Sequence, residues 1–159
     1  MKATVAHALM ALAVTSMIMS PSIEAHANEA QAKRNAKIGM KFFKKEKIIL
    51  VDAAMGAVQK GGRLVFLTSF IPGLEYMILV DGDNSLQNVA LSVHGPKNSK
   101  GKFPFIGARG HTAKDKKQPF RIVTFKVTKP GVYGLVMHHL AGTAEGAHGF
   151  FLVGIKPKS

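Results

Sequence analysis

The chain has 159 residues, with 22 Lys and Arg against nine Asp and Glu, so its net charge is +13, and it contains neither cysteine nor tryptophan. The absence of cysteine excludes disulfides, thiolate metal sites, a cysteine nucleophile and the thiolate ligand of blue copper. A chain of this length holds one domain with or without a tail, and its 47% hydrophobic content is that of a globular protein.

Residues 1–27 have the pattern of a secretory signal peptide. Lys2 supplies the positive start, residues 3–19 are mostly apolar, and Ala25-His26-Ala27 is a small-x-small cleavage pattern. We therefore expect cleavage before Asn28, which would leave 132 residues and a periplasmic or secreted protein. The rest of the chain has no second apolar run of membrane-spanning length.

Residues 28–60 form a basic N-terminal segment without proline, and we predict that it is partly helical. Its start lacks an obvious apolar stripe, so residues 28–37 are interpreted as a frayed tail. Apolar residues from Phe42 to Met55 fit one helix face, but 47–52 fit a short strand equally well.

After Gly61-Gly62 the chain turns to short runs rich in β-branched and aromatic residues, bounded by Gly, Pro, Asn and Asp. In the run at 87–94, alternation puts Ser92 and His94 on the polar face. Residues 96–118 are rich in Gly, Lys and polar residues and are interpreted as a long exposed loop. The strands are predicted at 63–70, 75–80, 87–94, 120–127, 132–140 and 149–155. We predict an all-β protein: an antiparallel sandwich of jelly-roll or immunoglobulin-like type over 61–159, preceded by a short helix or extended basic segment.

The sequence lacks the common local motifs of hydrolases, nucleotide-binding loops and zinc proteases, and we predict that the protein is not an enzyme. The turn at 81–84 offers oxygen ligands from Asp81 and Asp83, which gives a weak prediction of calcium. No Glu closes an EF-hand loop, because its twelfth position is Ser92, and Asp and Asn are also the residues that tight turns prefer.

Histidine and methionine near the C-terminus give an alternative function, the binding of copper or zinc in the periplasm. The candidate ligands are Met137, His138, His139 and His148. Neighbouring strand residues face opposite ways, so only one of His138 and His139 can join His148 in a regular strand. The run from Gly131 resembles the last hairpin of cupredoxins, with Met137 where those proteins carry the Cys ligand, which excludes a blue-copper centre.

A second resemblance covers residues 61–155. The run PGLEYMILV at 72–80, Gly82-Asp83, NVAL at 88–91 and GVY at 131–133 are similar to the bacterial pre-peptidase C-terminal domain. This resemblance implies a secreted β-sandwich that serves as a non-catalytic accessory or adhesion module. Asn88 and Ala90 replace acidic residues that support calcium in some members of that family.

The positive charge is concentrated in two stretches, 28–60 and 96–118, and such density attracts polyanions. We therefore predict a non-catalytic module that engages an anionic envelope polymer, lipid headgroups or an acidic protein. The expected extracytoplasmic location disfavours nucleic acid. The candidate anion-binding residues are Lys41, Lys44 and Lys45 in the first stretch, and Lys97, Lys100, Lys102, Arg109, Lys114, Lys116 and Lys117 in the second.

Overall fold

The structure, a computed structural model, describes residues 29–113, 120–142 and 146–157. The expected signal peptide lies outside these residues. The described part contains one helix and eight strands: α1 (Glu29–Lys45), β1 (Ile49–Gln59), β2 (Arg63–Phe70), β3 (Glu75–Gly82), β4 (Leu86–His94), β5 (Phe105–Ala113), β6 (Arg121–Lys126), β7 (Gly131–Gly142) and β8 (Gly146–Ile155).

The strands form two four-stranded antiparallel sheets, which confirms the predicted all-β sandwich. Sheet 1 has the order β1-β8-β3-β6, and sheet 2 has the order β2-β7-β4-β5. All six strands predicted from the sequence are present, with their ends shifted by one to three residues where they differ.

The core between the two sheets consists of the side chains that point inward, at every second position along the strands. It includes Ile78, Val80, Leu91, Val93, Leu135, Met137, Phe151 and Val153, each at most 1% exposed. Aromatic rings pack at one end of this core, where Phe70 contacts Tyr76, Phe125 and Tyr133. The hydroxyl of Tyr133 donates to the carbonyl of Lys129 over 2.6 Å and fixes the turn before β7.

Helix α1 covers the outer face of sheet 1. Its buried residues are Ala32, Ala36, Gly39 and Phe43, spaced so that they share one helix face. The interpretation of residues 28–37 as a frayed tail is therefore wrong from Glu29 onward. The first three of these buried residues are small, and they let the helix lie close to the sheet. A second core between α1 and sheet 1 contains Phe43, Ile48, Leu79, Phe120, Phe150 and Leu152.

The helix α1 ends before residues 47–52, so these residues do not continue it. The amide of Ile48 donates to the carbonyl of Phe43 over 2.8 Å, and that of Lys47 to the carbonyl of Lys44 over 3.2 Å. These bonds are a Schellman motif, in which Lys47 takes the left-handed conformation with φ 56°. The chain reverses there and enters the strand β1, which pairs along its length with β8. The first strand of the sandwich thus lies within residues 28–60.

The loop predicted at 96–118 is wrong for residues 105–113, which form β5. Among the described strands it pairs with β4 alone and lies at the edge of sheet 2. An edge strand forms one ladder of hydrogen bonds, so it tolerates the glycines and polar residues that a central strand does not. Among the described residues, no helix is long and apolar enough to cross a bilayer.

Candidate functional site

The outer face of sheet 2 carries the residues of the candidate site. Alternation along β2, β7 and β4 sends every second side chain away from the core. The strand register then arranges these outward residues in rows across the sheet. The three rows are Arg63–His138–Ala90, Val65–Val136–Ser92 and Leu67–Gly134–His94.

A groove of about 670 Å³ lies over these rows. Its apolar lining includes Val65, Leu67, Phe103, Phe105 and Val136. Val65 is 52% exposed and Phe105 is 45% exposed, so large apolar groups face water here. Among the described residues that line the groove there is no Asp or Glu, whereas Arg63 and two histidines are present. The groove is therefore apolar with a positive charge.

The polar centre of the groove is the hydroxyl of Ser92. Nε2 of His94 lies 3.1 Å from this oxygen, and Nε2 of His138 lies 3.5 Å from it. Partial burial, the charge of Arg63 and the neighbouring His94 lower the pKa of His138 below its ordinary value of 6.5. At neutral pH the His138 ring is thus mainly neutral, and the permanent charge beside this ring comes from Arg63, its register partner in β2.

Of the predicted anion-binding residues, Lys97 lies next to the groove, where it lines a neighbouring space with Leu67 and Phe103. The ammonium of Lys97 lies 5.5 Å from the centre of the Phe103 ring, a cation–π geometry. Lys100 and Lys102 are exposed on the next turn, where the side-chain carbonyl of Asn98 accepts from both of their amides over 3.0 and 3.1 Å. Arg109 in β5 is the register partner of Ser92. Lys114, Lys116 and Lys117 lie outside the described residues.

The other predicted anion-binding residues lie on the solvent face of α1. Lys41, Lys44 and Lys45 are exposed and share this face with Lys33, Arg34 and Lys37. Lys33 pairs with Glu29 over 2.6 Å, and the lysine lowers the pKa of that carboxyl through a hydrogen bond and its charge. Because α1 covers sheet 1 and the groove lies on sheet 2, the structure places the two basic surfaces on opposite sides of the sandwich.

The candidate metal ligands project into three different layers. His138 faces the groove, whereas His139 and Met137 are buried on the inner side of sheet 2. In β8 the odd-numbered positions Ala147 and Phe151 point into the core. His148, at an even position, therefore faces the α1 side of sheet 1. Within the part of the chain that the structure describes, neither ring nitrogen of His139 has a hydrogen-bond partner, and Nδ1 of His148 also lacks one.

The described residues contain no cluster of three or more His, Asp or Glu that could hold a metal ion. The copper or zinc site stays a prediction from the sequence, and elemental analysis of the purified protein would test it.

Both residues of the predicted calcium site already have protein partners. Arg121 donates to Asp81 over 3.2 Å, and both side chains are at most 4% exposed. Asp83 accepts from the amide and hydroxyl of Ser85 and, over 2.8 Å, from the amide of His148. Asp83 thus ties the β3–β4 turn to β8, the role that the turn chemistry of the sequence favours.

Sequence reasoning placed Ser92 and His94 on the polar face of their strand, and the structure confirms this placement. It did not identify Arg63, Val65 or Leu67 as site residues, although alternation in RLVFLTSF at 63–70 puts all three on one face. The missing information was the strand order. Only the sheet brings β2 and β4 to the two sides of β7.

No protein-family model matches the chain, and no curated protein matches it. The resemblance to the pre-peptidase C-terminal domain is therefore not confirmed beyond its all-β fold. Solved structures that are similar to this chain include two that share little sequence with it. One is PliG from Aeromonas hydrophila, a periplasmic inhibitor of g-type lysozyme, with 14% identity and a TM-score of 0.45 over 65% of this chain and 84% of that chain. The other is a protein from Sulfurospirillum deleyianum, with 9% identity and a TM-score of 0.46 over 67% of this chain and 99% of that one.

Proposed function

We propose that the chain is a non-catalytic binding module of the periplasm or cell exterior, and that it engages an anionic envelope polymer or a lipid headgroup layer through the basic face of α1. The observation that carries this proposal is the row of six bases along the solvent face of α1. Glu29, at the first turn, is the one acid of the helix. At 1.5 Å per residue, the 17-residue helix is about 25 Å long, which suits an extended array of anionic groups.

The packing of α1 supports a surface that is ready to bind. The helix is held on sheet 1 by Ala32, Ala36, Gly39 and Phe43, so it need not fold upon the anion. On binding, its lysines lose only side-chain conformational entropy, because the backbone of the helix is already ordered. Long lysine side chains also reach anionic groups while their stems stay on the helix.

The groove on sheet 2 also contains a serine beside a histidine. Ser92 beside His94 has the composition of a nucleophile and its base. Such a pair needs a third group that orients the base, usually a carboxylate. Among the described residues, no Asp or Glu lines the groove. The expected signal peptide supports the location.

The proposal is tested by binding to vesicles of phosphatidylglycerol and phosphatidylcholine and, separately, to purified lipopolysaccharide. These two arms separate headgroups from polymer. In the variant Lys37→Gln/Lys41→Gln/Lys44→Gln, we expect roughly a hundredfold weaker binding, because each lysine near an anionic surface contributes about 1 kcal/mol. Wild-type binding should weaken as salt rises past physiological strength, where the screening length is about 8 Å.

The matched control is Lys97→Gln/Lys100→Gln/Lys102→Gln, which removes the same charge from the opposite side of the sandwich. It should bind anionic vesicles within about threefold of the wild type, since these lysines face away from the membrane when α1 lies on it. Equal losses in both triple variants would show that net charge alone drives the binding and would overturn the role of α1. Binding that neither variant changes would also overturn it.

A further inference from the structure

The groove on sheet 2 is a binding surface of different chemistry from the basic face of α1. Val65, Leu67, Phe105 and Val132 are each at least 37% exposed on or beside it. Contiguous exposed apolar groups with a polar rim are typical of surfaces that dock another molecule, because covering them removes apolar area from water at about 25 cal/mol per Å².

We propose that this groove docks a segment of an acidic partner protein. A carboxylate of the segment binds at Ser92, between His94 and His138, in the positive field of Arg63, the register partner of His138. A neighbouring aliphatic or aromatic side chain packs against Leu67, Phe103 and Phe105. This docking is independent of the proposed function of α1.

Charge complementarity favours a carboxylate over a metal ion. Two imidazole nitrogens converge on the hydroxyl of Ser92, which alone would also suit a divalent cation. However, Arg63 and Lys97 make the field around this point positive, and no described carboxylate lines the groove to offset it. A positive field with hydrogen-bond donors attracts an anion and repels a cation.

The shape of the groove favours a protein segment over a small molecule. Small-molecule sites usually enclose most of their ligand, whereas this groove is open to solvent and runs across all four strands of sheet 2. Apolar residues from Val65 to Phe105 line the groove on both sides of the polar positions Ser92 and His94. A segment with a carboxylate next to a large apolar side chain reaches both parts at once.

The layer order gives the groove a further property. Since α1 and the groove lie on opposite faces of the sandwich, a protein bound to an envelope surface through α1 still presents the groove away from that surface. The docked partner and the anionic surface therefore do not compete for the same residues.

The test is selection of peptides from a random 12-residue phage library on the immobilised protein, with counter-selection on the variant Leu67→Asp. Affinities of the selected peptides are then measured by fluorescence anisotropy, without vesicles. We expect enriched peptides with Asp or Glu beside Phe, Leu or Ile. Their binding should weaken at least tenfold in Arg63→Gln, because a charge-assisted hydrogen bond contributes about 1.5–3 kcal/mol.

The matched control is Lys126→Gln, which removes one exposed charge from β6 in sheet 1 and should leave peptide binding unchanged. Arg63 and Leu67 are exposed, and thermal unfolding of each variant checks that it folds. Peptides without acids, equal affinity for Arg63→Gln, or no enrichment over the Leu67→Asp variant would overturn the proposal. So would micromolar binding of Zn²⁺ that depends on His94 and His138 and displaces the peptides. Vesicle binding by Leu67→Asp is measured in parallel, so failure here is distinguishable from failure of the proposed function.

Discussion

The outer faces of the two sheets differ in what covers them. On sheet 1 the outward residues include Met77, Leu79, Phe150 and Leu152, and α1 packs over them to form a second core. On sheet 2 the corresponding positions hold Arg63, Ser92, His94 and His138 among the valines and leucine, and this face stays in contact with water. An apolar face of a sheet must be covered, whereas a mixed face can remain exposed and available to a partner.

The largest expected contrast comes from removing one phenylalanine ring from each face. Phe43 is 1% exposed beneath α1, and Phe105 is 45% exposed on the groove. Phe43→Ala should destabilise the protein by about 3–5 kcal/mol, because it leaves a cavity in a packed core. Urea unfolding measures the free-energy change. The matched variant Phe105→Ala should cost less than about 1 kcal/mol. Equal losses would mean that the two faces do not differ as the structure shows.

A smaller contrast is expected from adding a side chain at a glycine on each face. A Cβ atom at Gly39 would lie 2.8 Å from a methyl group of Leu152, so α1 would be pushed from sheet 1. At Gly134 the nearest atoms to such a Cβ are 3.7 and 3.8 Å away. Gly39→Val should therefore lower the free energy of unfolding by about 1–3 kcal/mol. Gly134→Val should change it by less than about 1 kcal/mol. A stable Gly39→Val variant would contradict the close packing of α1.

The turn between α1 and β1 can be stabilised by a substitution at Lys47. Lys47 has φ 56°, a conformation that glycine adopts without strain. Lys47→Gly should raise the melting temperature and stabilise the protein by about 0.5–1 kcal/mol. Gly61 has a similar φ of 73° but is already a glycine. No described atom lies within 4 Å of a Cβ added there. Gly61→Ala should destabilise by about 1 kcal/mol through backbone strain alone. A Lys47→Gly variant less stable than the wild type would refute the strain argument.

The smallest expected effect is the pH dependence that comes from the open face. The pKa of His138 is lowered in the folded protein, so its contribution to stability is complete above its ordinary value of 6.5 and is lost as the pH falls through the lowered value. Arg63 from β2 and His94 and Ser92 from β4 lie around this ring, and beyond β4 the register partners of Ser92 and Ala90 in β5 are Arg109 and His111.

The measurement is urea unfolding at pH 8, 6 and 5. The wild type should lose more stability between pH 8 and pH 5 than the variant His138→Gln, which lacks the titrating ring. Identical pH profiles would show that the environment of His138 is not as the structure describes. On the covered face, Lys37→Gln serves as a control that should not alter the profile.

Much of the fold follows from local patterns in the sequence. Alternating β-branched residues and turn residues at 72–73, 81–84, 95–96 and 130–131 determine the six predicted strands, because period-two burial and turn chemistry act over a few residues. The helix end at Lys47 could not be predicted in this way, since a lysine takes the place where glycine is usual. Edge strand β5 could not be predicted for a similar reason: its composition is that of a loop, and contacts with the distant strands β4 and β6 hold it in place.

The candidate site depends more strongly on distant contacts. The sequence by itself determined the positive charge, the absence of thiol chemistry and the faces of single strands such as the one with Ser92 and His94. Only the tertiary structure decided that His138 lies beside Ser92 and Arg63 beside His138, that His139 and His148 face different layers, and that the two basic surfaces are on opposite sides. The physical reason is that the composition and alternation of a strand depend on neighbouring residues, whereas the order of strands in a sheet is set by packing between segments far apart in the chain.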